Sequence, residues 1–93
     1  MGFQETMKAL GDPTRREILQ LLRDGKLSVG DIVANFNITG ASISHHLSVL
    51  KNADLIVFYK EKNFIYYELN ASVFEELLMW LSQFKGEDSS EEK

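Results

Sequence analysis

Between Thr39 and Asn52 the chain reads Thr-Gly-Ala-Ser-Ile-Ser-His-His-Leu-Ser-Val-Leu-Lys-Asn. Small hydroxylated residues and histidine stand here where a solvated helix ordinarily carries lysine and glutamate. On a helical wheel Ile43, Leu47 and Leu50 fall within about 60° of one another and form an apolar stripe. Ala41, Ser44, His45 and Ser48 fall on the opposite side, and Thr39, Gly40 and Ser42 stand at the N-terminal end. Small side chains let a helix approach a surface closely, hydroxyls and imidazole exchange hydrogen bonds, and a helix N-terminus favours phosphate. The chemistry open to this set is recognition of base edges and phosphates in a DNA groove. The alternative is a surface that is merely rich in serine. His46 lies at the border of the stripe and reads as a packed, hydrogen-bonded helix residue. His45 and His46 are adjacent, point about 100° apart and make a poor chelate.

Other chemistry is harder to find. There is no nucleophile elbow, Gly-rich phosphate loop or paired-carboxylate pocket, so an enzyme is not expected. The chain has no cysteine, which excludes disulfides, thiol redox chemistry and thiolate metal sites. No cofactor and no metal site are expected.

The elements that must position the serine-rich helix can be read outward from it. Thr39 caps it, and it runs to about Asn52. Before it, Ser28 caps a short helix whose buried side is Ile32, Val33 and Phe36, and the two make a helix-turn-helix. Asp12 as N-cap with Pro13 at the first helical position opens an earlier helix with Ile18, Leu21 and Leu22 as its stripe, ended by Asp24-Gly25. Phe3, Met7 and Leu10 mark a first short helix. After the serine-rich helix, Leu55 to Lys60 and Phe64 to Leu69 are dense in β-branched and aromatic residues and read as a hairpin joined by Glu61-Lys62-Asn63. Ser72 with Glu75 offers a capping box for a last helix, about Val73 to Phe84. The order α-α-α-α-β-β-α, mainly α with a β-hairpin, is that of a winged helix-turn-helix.

Length and charge bound this picture. The 93 residues make one domain, 44% of them hydrophobic. A domain this small is marginal alone, and association is a common remedy. No apolar run is long enough to span a bilayer and no signal peptide precedes the first helix, so a cytoplasmic protein with no membrane insertion is expected. The net charge is −4. The segment 87–93 carries four acids and one base and reads as a disordered acidic tail behind a domain of residues 1–86. The remaining body is near neutral, so a DNA argument must rest on geometry. Lys51 at the end of the serine-rich helix, and Lys60 and Lys62 at the hairpin tip, are the bases placed for phosphate contact; the alternative for the tip is ordinary solvation of a turn.

The last helix is apolar around most of its circumference. One stripe of it can face its own domain, and the rest requires a partner. Val73, Leu77, Trp80, Leu81 and Phe84, with Phe3 and Met7 of the first helix, are the expected dimerisation residues; the alternative is an oily monomer surface.

Three stretches carry a family likeness: Gly11-Asp12-Pro13-Thr14-Arg15-Arg16-Glu17-Ile18-Leu19, Ser42-Ile43-Ser44-His45-His46-Leu47-Ser48-Val49-Leu50, and Phe64-Ile65-Tyr66-Tyr67-Glu68-Leu69. They resemble the ArsR family of winged-helix repressors, in order and over roughly residues 4–84. Within it the chain is most similar to the short, cysteine-free SdpR-type autorepressors. The resemblance implies a homodimer through the first and last helices, bound to an inverted-repeat operator in double-stranded DNA. It also marks departures. Arsenic-type sensors place cysteines in a Leu-Cys-Val-Cys-Asp stretch, where this chain has Leu27-Ser28-Val29-Gly30-Asp31. Zinc-type sensors use histidine and acidic ligands on the last helix, where Val73 to Phe84 contain no histidine. The wing tip often has glycine in the family; here Lys62-Asn63 stand there, with Asn63 the better suited to a left-handed conformation.

The expected function is therefore sequence-specific repression by a DNA-binding homodimer without a metal inducer. A sequestering protein is a candidate further partner. The rivals are a metal- or small-molecule-sensing repressor of the same fold and a protein-binding winged-helix adaptor.

Overall fold

The computed structural model describes residues 2–86; Met1 and the acidic tail 87–93 lie outside the described residues. In chain order the elements are α1 (Phe3–Leu10), α2 (Pro13–Leu22), β1 (Leu27–Ser28), α3 (Val29–Val33), α4 (Gly40–Asn52), β2 (Ile56–Glu61), β3 (Phe64–Leu69) and α5 (Ala71–Ser82). This is a mainly helical winged helix-turn-helix. The strands form one antiparallel sheet in the order β1-β3-β2. Strand β1 is absent from the sequence-based order, because two residues are too few to show an alternation.

The core lies where α1, α2 and α4 pack on one another and on the base of the sheet. Ile18, Ile32, Ile43, Leu50 and Leu55 have no exposed surface, and burying each such side chain contributes on the order of 2 kcal/mol. The α2 stripe departs from expectation: Leu19 is buried, while Leu21 is only half-buried.

Local signals explain most boundaries. The Asp12 carboxylate accepts from the Arg15 backbone N–H at 3.0 Å, Pro13 occupies the first turn, and neither costs α2 a hydrogen bond. Gly25 ends that segment at φ +134°, a conformation that strains any residue with a Cβ. Ser28 and Thr39 accept from the backbone N–H groups of Asp31 and Ser42, as their positions predict. Helix α4 closes in a Schellman motif. Leu55 N–H donates to Leu50 O at 3.0 Å and Asp54 N–H to Lys51 O at 2.9 Å, with Asp54 left-handed at φ 61°.

Two expectations are corrected. The capping box at Ser72 and Glu75 does not form. Helix α5 starts at Ala71 behind Asn70 and ends at Ser82. Asn70 holds the junction because its N–H donates to Leu55 O and its Nδ2 to Asp54 O, both at 3.0 Å. Ser72 is thereby already inside the first turn. At the wing, Glu61 pairs with Phe64, so the loop is the pair Lys62-Asn63 rather than three residues. The positive φ falls on Lys62, at 58°, and not on Asn63. Tight two-residue hairpin loops demand positive φ at one position or both, and register assigns that demand to lysine.

Two outcomes follow. Lys62→Gly should stabilise the fold by about 0.5–1 kcal/mol in denaturant unfolding, since glycine accepts the left-handed conformation without a Cβ clash; a loss of stability would contradict the turn geometry. Asp12 has its pKa held below its usual 3.8, first by the Arg15 backbone hydrogen bond and then by the Arg15 charge. Its charge therefore contributes stability above the ordinary carboxylate range, and that contribution is lost as pH falls through the lowered value. Asp12→Asn keeps a capping side chain, so its melting temperature should lie below the parent's at neutral pH and converge with it as pH drops below about 4. A gap that persists into acid would show that the charge is not the stabilising feature.

Candidate nucleic-acid interface

Helix α4 is held from one side only. Ile43, Leu47 and Leu50 are 0%, 2% and 0% exposed, while Gly40, Ala41, Ser42, Ser44, His45 and Ser48 are all exposed. At its N-terminus Thr39 Oγ1 accepts from the Ser42 N–H and donates to Ser42 Oγ, each at 3.1 Å. The Ser42 hydroxyl is thus anchored and keeps its own hydrogen to donate. A Cβ at Gly40 would meet nothing within 4 Å, so packing does not require glycine there, and the absent side chain leaves the N-terminal amides open to a close anion. Ile38, just before the helix, is 42% exposed.

The border of that packed side is fastened by polar contacts. Arg15 Nη1 lies 3.2 Å from His46 Nδ1. Guanidinium only donates, so Nδ1 accepts and the ring proton of His46 sits on Nε2. The Asp12 carboxylate lies 3.8 Å from the same nitrogen. Arg15 also donates through Nε to Ala9 O at 2.8 Å and through Nη2 to Lys8 O at 3.3 Å. Arg16 Nη1 donates to Leu10 O at 2.8 Å. Two adjacent arginines thus satisfy the last carbonyls of α1, which a helix end leaves without partners, and one of them reaches on to α4. The role of Arg15 in holding His46 is not visible in any periodicity; only its place in the Gly11–Leu19 stretch draws notice.

The wing brings the lysines together. Lys60 and Lys62 are exposed and make no ion pair among the described residues. Lys51 is half-buried, with Nζ 4.8 Å from the Phe58 ring centre. Alternation along β2 sets Phe58 and Lys60 on one face and Tyr59 and Glu61 on the other. On that other face Lys26 Nζ meets Glu61 Oε1 at 2.8 Å. It also sits 4.7 Å and 5.4 Å from the ring centres of Tyr66 and Tyr59. Its partners hold its pKa above the ordinary lysine value, the Glu61 hydrogen bond most of all. Lys26 was not singled out from sequence, because the strand that brings it to the wing was not legible.

A second surface lies on α1 and α5. The Phe3 and Trp80 rings stand 4.6 Å apart and those of Trp80 and Phe84 4.9 Å, all within one chain. Met7 is half-buried behind them. Val73 and Leu77, expected among the partner-facing residues, are 7% and 8% exposed and belong to the chain's own core. They are corrected to core positions, because they occupy the α5 stripe that turns inward. The outward apolar residues are Leu78, Met79, Leu81 and Phe84, between 54% and 71% exposed. Among the described residues no three His, Asp or Glu side chains converge to hold a metal, and no helix is long and apolar enough to cross a membrane.

Comparison with known proteins agrees with this architecture. Residues 12–57 match the profile of the bacterial regulatory protein, arsR family. The transcriptional repressor SdpR of Bacillus subtilis (strain 168) is 47% identical over 88 residues, covering 92% of this chain and 98% of that protein. The arsenical resistance operon repressor of Staphylococcus aureus is 32% identical over 85 residues, covering 88% of this chain and 82% of the other. Among solved structures, a possible transcriptional regulator for arsenical resistance superposes with a TM-score of 0.77 at 32% identity, covering 86% of this chain and 83% of that one. The chain belongs to the arsR family of bacterial regulatory proteins.

Proposed function

We propose that this regulatory protein represses transcription as a homodimer that lays two copies of α4 in successive major grooves of an inverted-repeat operator. The observation that carries the proposal is the division of α4. Its serines and His45 are exposed opposite three fully packed apolar residues, and Lys51 at its C-terminal end lies against Phe58 of the wing. In this arrangement Ser42, Ser44 and His45 read base edges, with Ala41 and Ser48 against the groove. Thr39 and Gly40 bring the helix N-terminus to phosphate, and Lys51, Lys60 and Lys62 extend contact along the backbone. A repressor of this family carries no enzymatic function.

The dimer uses α1 and α5. Leu78, Met79, Leu81 and Phe84 form an apolar surface that a second copy covers, with Phe3 and Trp80 stacked at its edge. Regulation without a transition metal is part of the proposal, and a chain with no cysteine supports it. Control falls to self-repression or to a sequestering protein.

Two measurements test these assignments. Ser44→Ala and His45→Ala should each weaken binding to duplex from the protein's own upstream region by about 1–3 kcal/mol in fluorescence anisotropy, with thermal stability within about 0.5 kcal/mol of the parent. Unchanged affinity in both would remove α4 from the interface. For the dimer, Leu81→Glu is the cleaner probe, because Trp80 packs on Phe3 of its own chain. Leu81→Glu should sediment as a folded monomer and bind the inverted repeat far more weakly, since a buried unpaired charge is not tolerated at an apolar seam. A stable dimer would place the seam elsewhere.

A further inference from the structure

We infer that Lys26 is a positioning residue of the DNA interface: it neutralises Glu61, the acid at the wing tip, and ties the hairpin to β1, so that Lys60 and Lys62 meet phosphate unopposed. The inference rests on the DNA-binding function proposed above and deepens it.

The wing tip has an electrostatic flaw. Glu61 stands between Lys60 and Lys62 in sequence, and a free carboxylate beside a DNA backbone repels it. The fold answers this from a distant part of the chain. Lys26, immediately before β1, places its ammonium 2.8 Å from Glu61 Oε1. The same ammonium rests against the faces of Tyr66 and Tyr59, at 4.7 Å and 5.4 Å. Those tyrosines are cross-strand partners, and Tyr66 also pairs with Ser28 of β1. One cation is therefore in contact with β2 and β3 from the foot of β1. It spans the sheet from the foot of β1 to the hairpin end.

The arrangement has little value as a stabilising ion pair, because both side chains are about half-exposed and exposed pairs contribute little. Its consequence is electrostatic. With the Glu61 charge matched on the outer face of β2, the Lys60 face and the tip present positive charge alone. A symmetric dimer has two wings, so the effect enters twice.

The test uses the full chain with a duplex of its own upstream region and a random duplex, titrated across salt. Lys26→Met keeps the apolar stem and loses the charge. It should weaken binding to both duplexes by about tenfold, as expected when a like charge is uncovered at two contacts per dimer. Lys26→Arg should bind like the parent, and adding Glu61→Gln to Lys26→Met should restore affinity to within about twofold. Thermal melting of all four proteins checks that none has merely unfolded, and the Arg variant reports even if the Met variant does. Parent-like binding by Lys26→Met overturns the inference alone. So does an equal loss with and without Glu61, which would mean that Lys26 itself touches phosphate. Failure of the parent to bind either duplex overturns the DNA-binding function and this inference with it.

Discussion

The burial of Ile43, Leu47 and Leu50 governs the rest of the molecule. A helix can turn about its own axis, and only the side chains it buries decide which way it faces. Three residues with essentially no exposed surface make any other rotation of α4 costly by several kcal/mol. A turn of a single residue, about 100°, would bring Ser42 or Ser44 into the core and Ile43 into water. The exposed serine-bearing face is therefore defined by what it is not: it is the part of α4 the core has no use for. This explains why small polar residues can occupy it without weakening the fold.

Arg15 adds direction to that constraint. A lysine could not replace it, because one ammonium lacks the planar fork that reaches Ala9 O, Lys8 O and His46 Nδ1 together. Through this side chain the end of α1 and the middle of α4 are parts of one hydrogen-bonded group. Helix α1 also carries Phe3 to the Trp80 ring on α5. The apolar surface of α5 and the exposed face of α4 are thus linked through α1 by a few contacts.

Much of this was legible in sequence. Caps such as Asp12, Ser28 and Thr39 act within three residues, and the α4 stripe repeats at helical spacing, so local chemistry announces both. What was missed depends on distant partners. Strand β1 exists because Leu27 and Ser28 find Tyr67 and Tyr66; two residues carry no signal of their own. Lys26 acquires a role only through that pairing. The start of α5 was misplaced because Ser72 and Glu75 satisfy a local rule, whereas Asn70 satisfies a tertiary one by bonding to Asp54 and Leu55. The inward turn of Val73 and Leu77 likewise needed knowledge of which α5 stripe meets the core. At the wing the residue types were right for a tight turn, but register, which sequence does not display, chose Lys62 over Asn63 for the left-handed position.

The pairing of β1 with β3 has a consequence for how the chain acquires its structure. Leu27 and Tyr67 are about forty residues apart, and the loop they close contains α3, α4 and β2. Helices α3 and α4 are short, and isolated segments of such length are marginal in water. They gain lasting order from tertiary packing, α4 on α1, α2 and β2, and α3 on β1 and β3. Closing a loop of that size precedes the contacts that reward it, which sets the tempo of folding by topology rather than by helix propensity. The pairing joins the wing to the segment that leads into the helix-turn-helix, so the two form one packed unit rather than a module with an appendage.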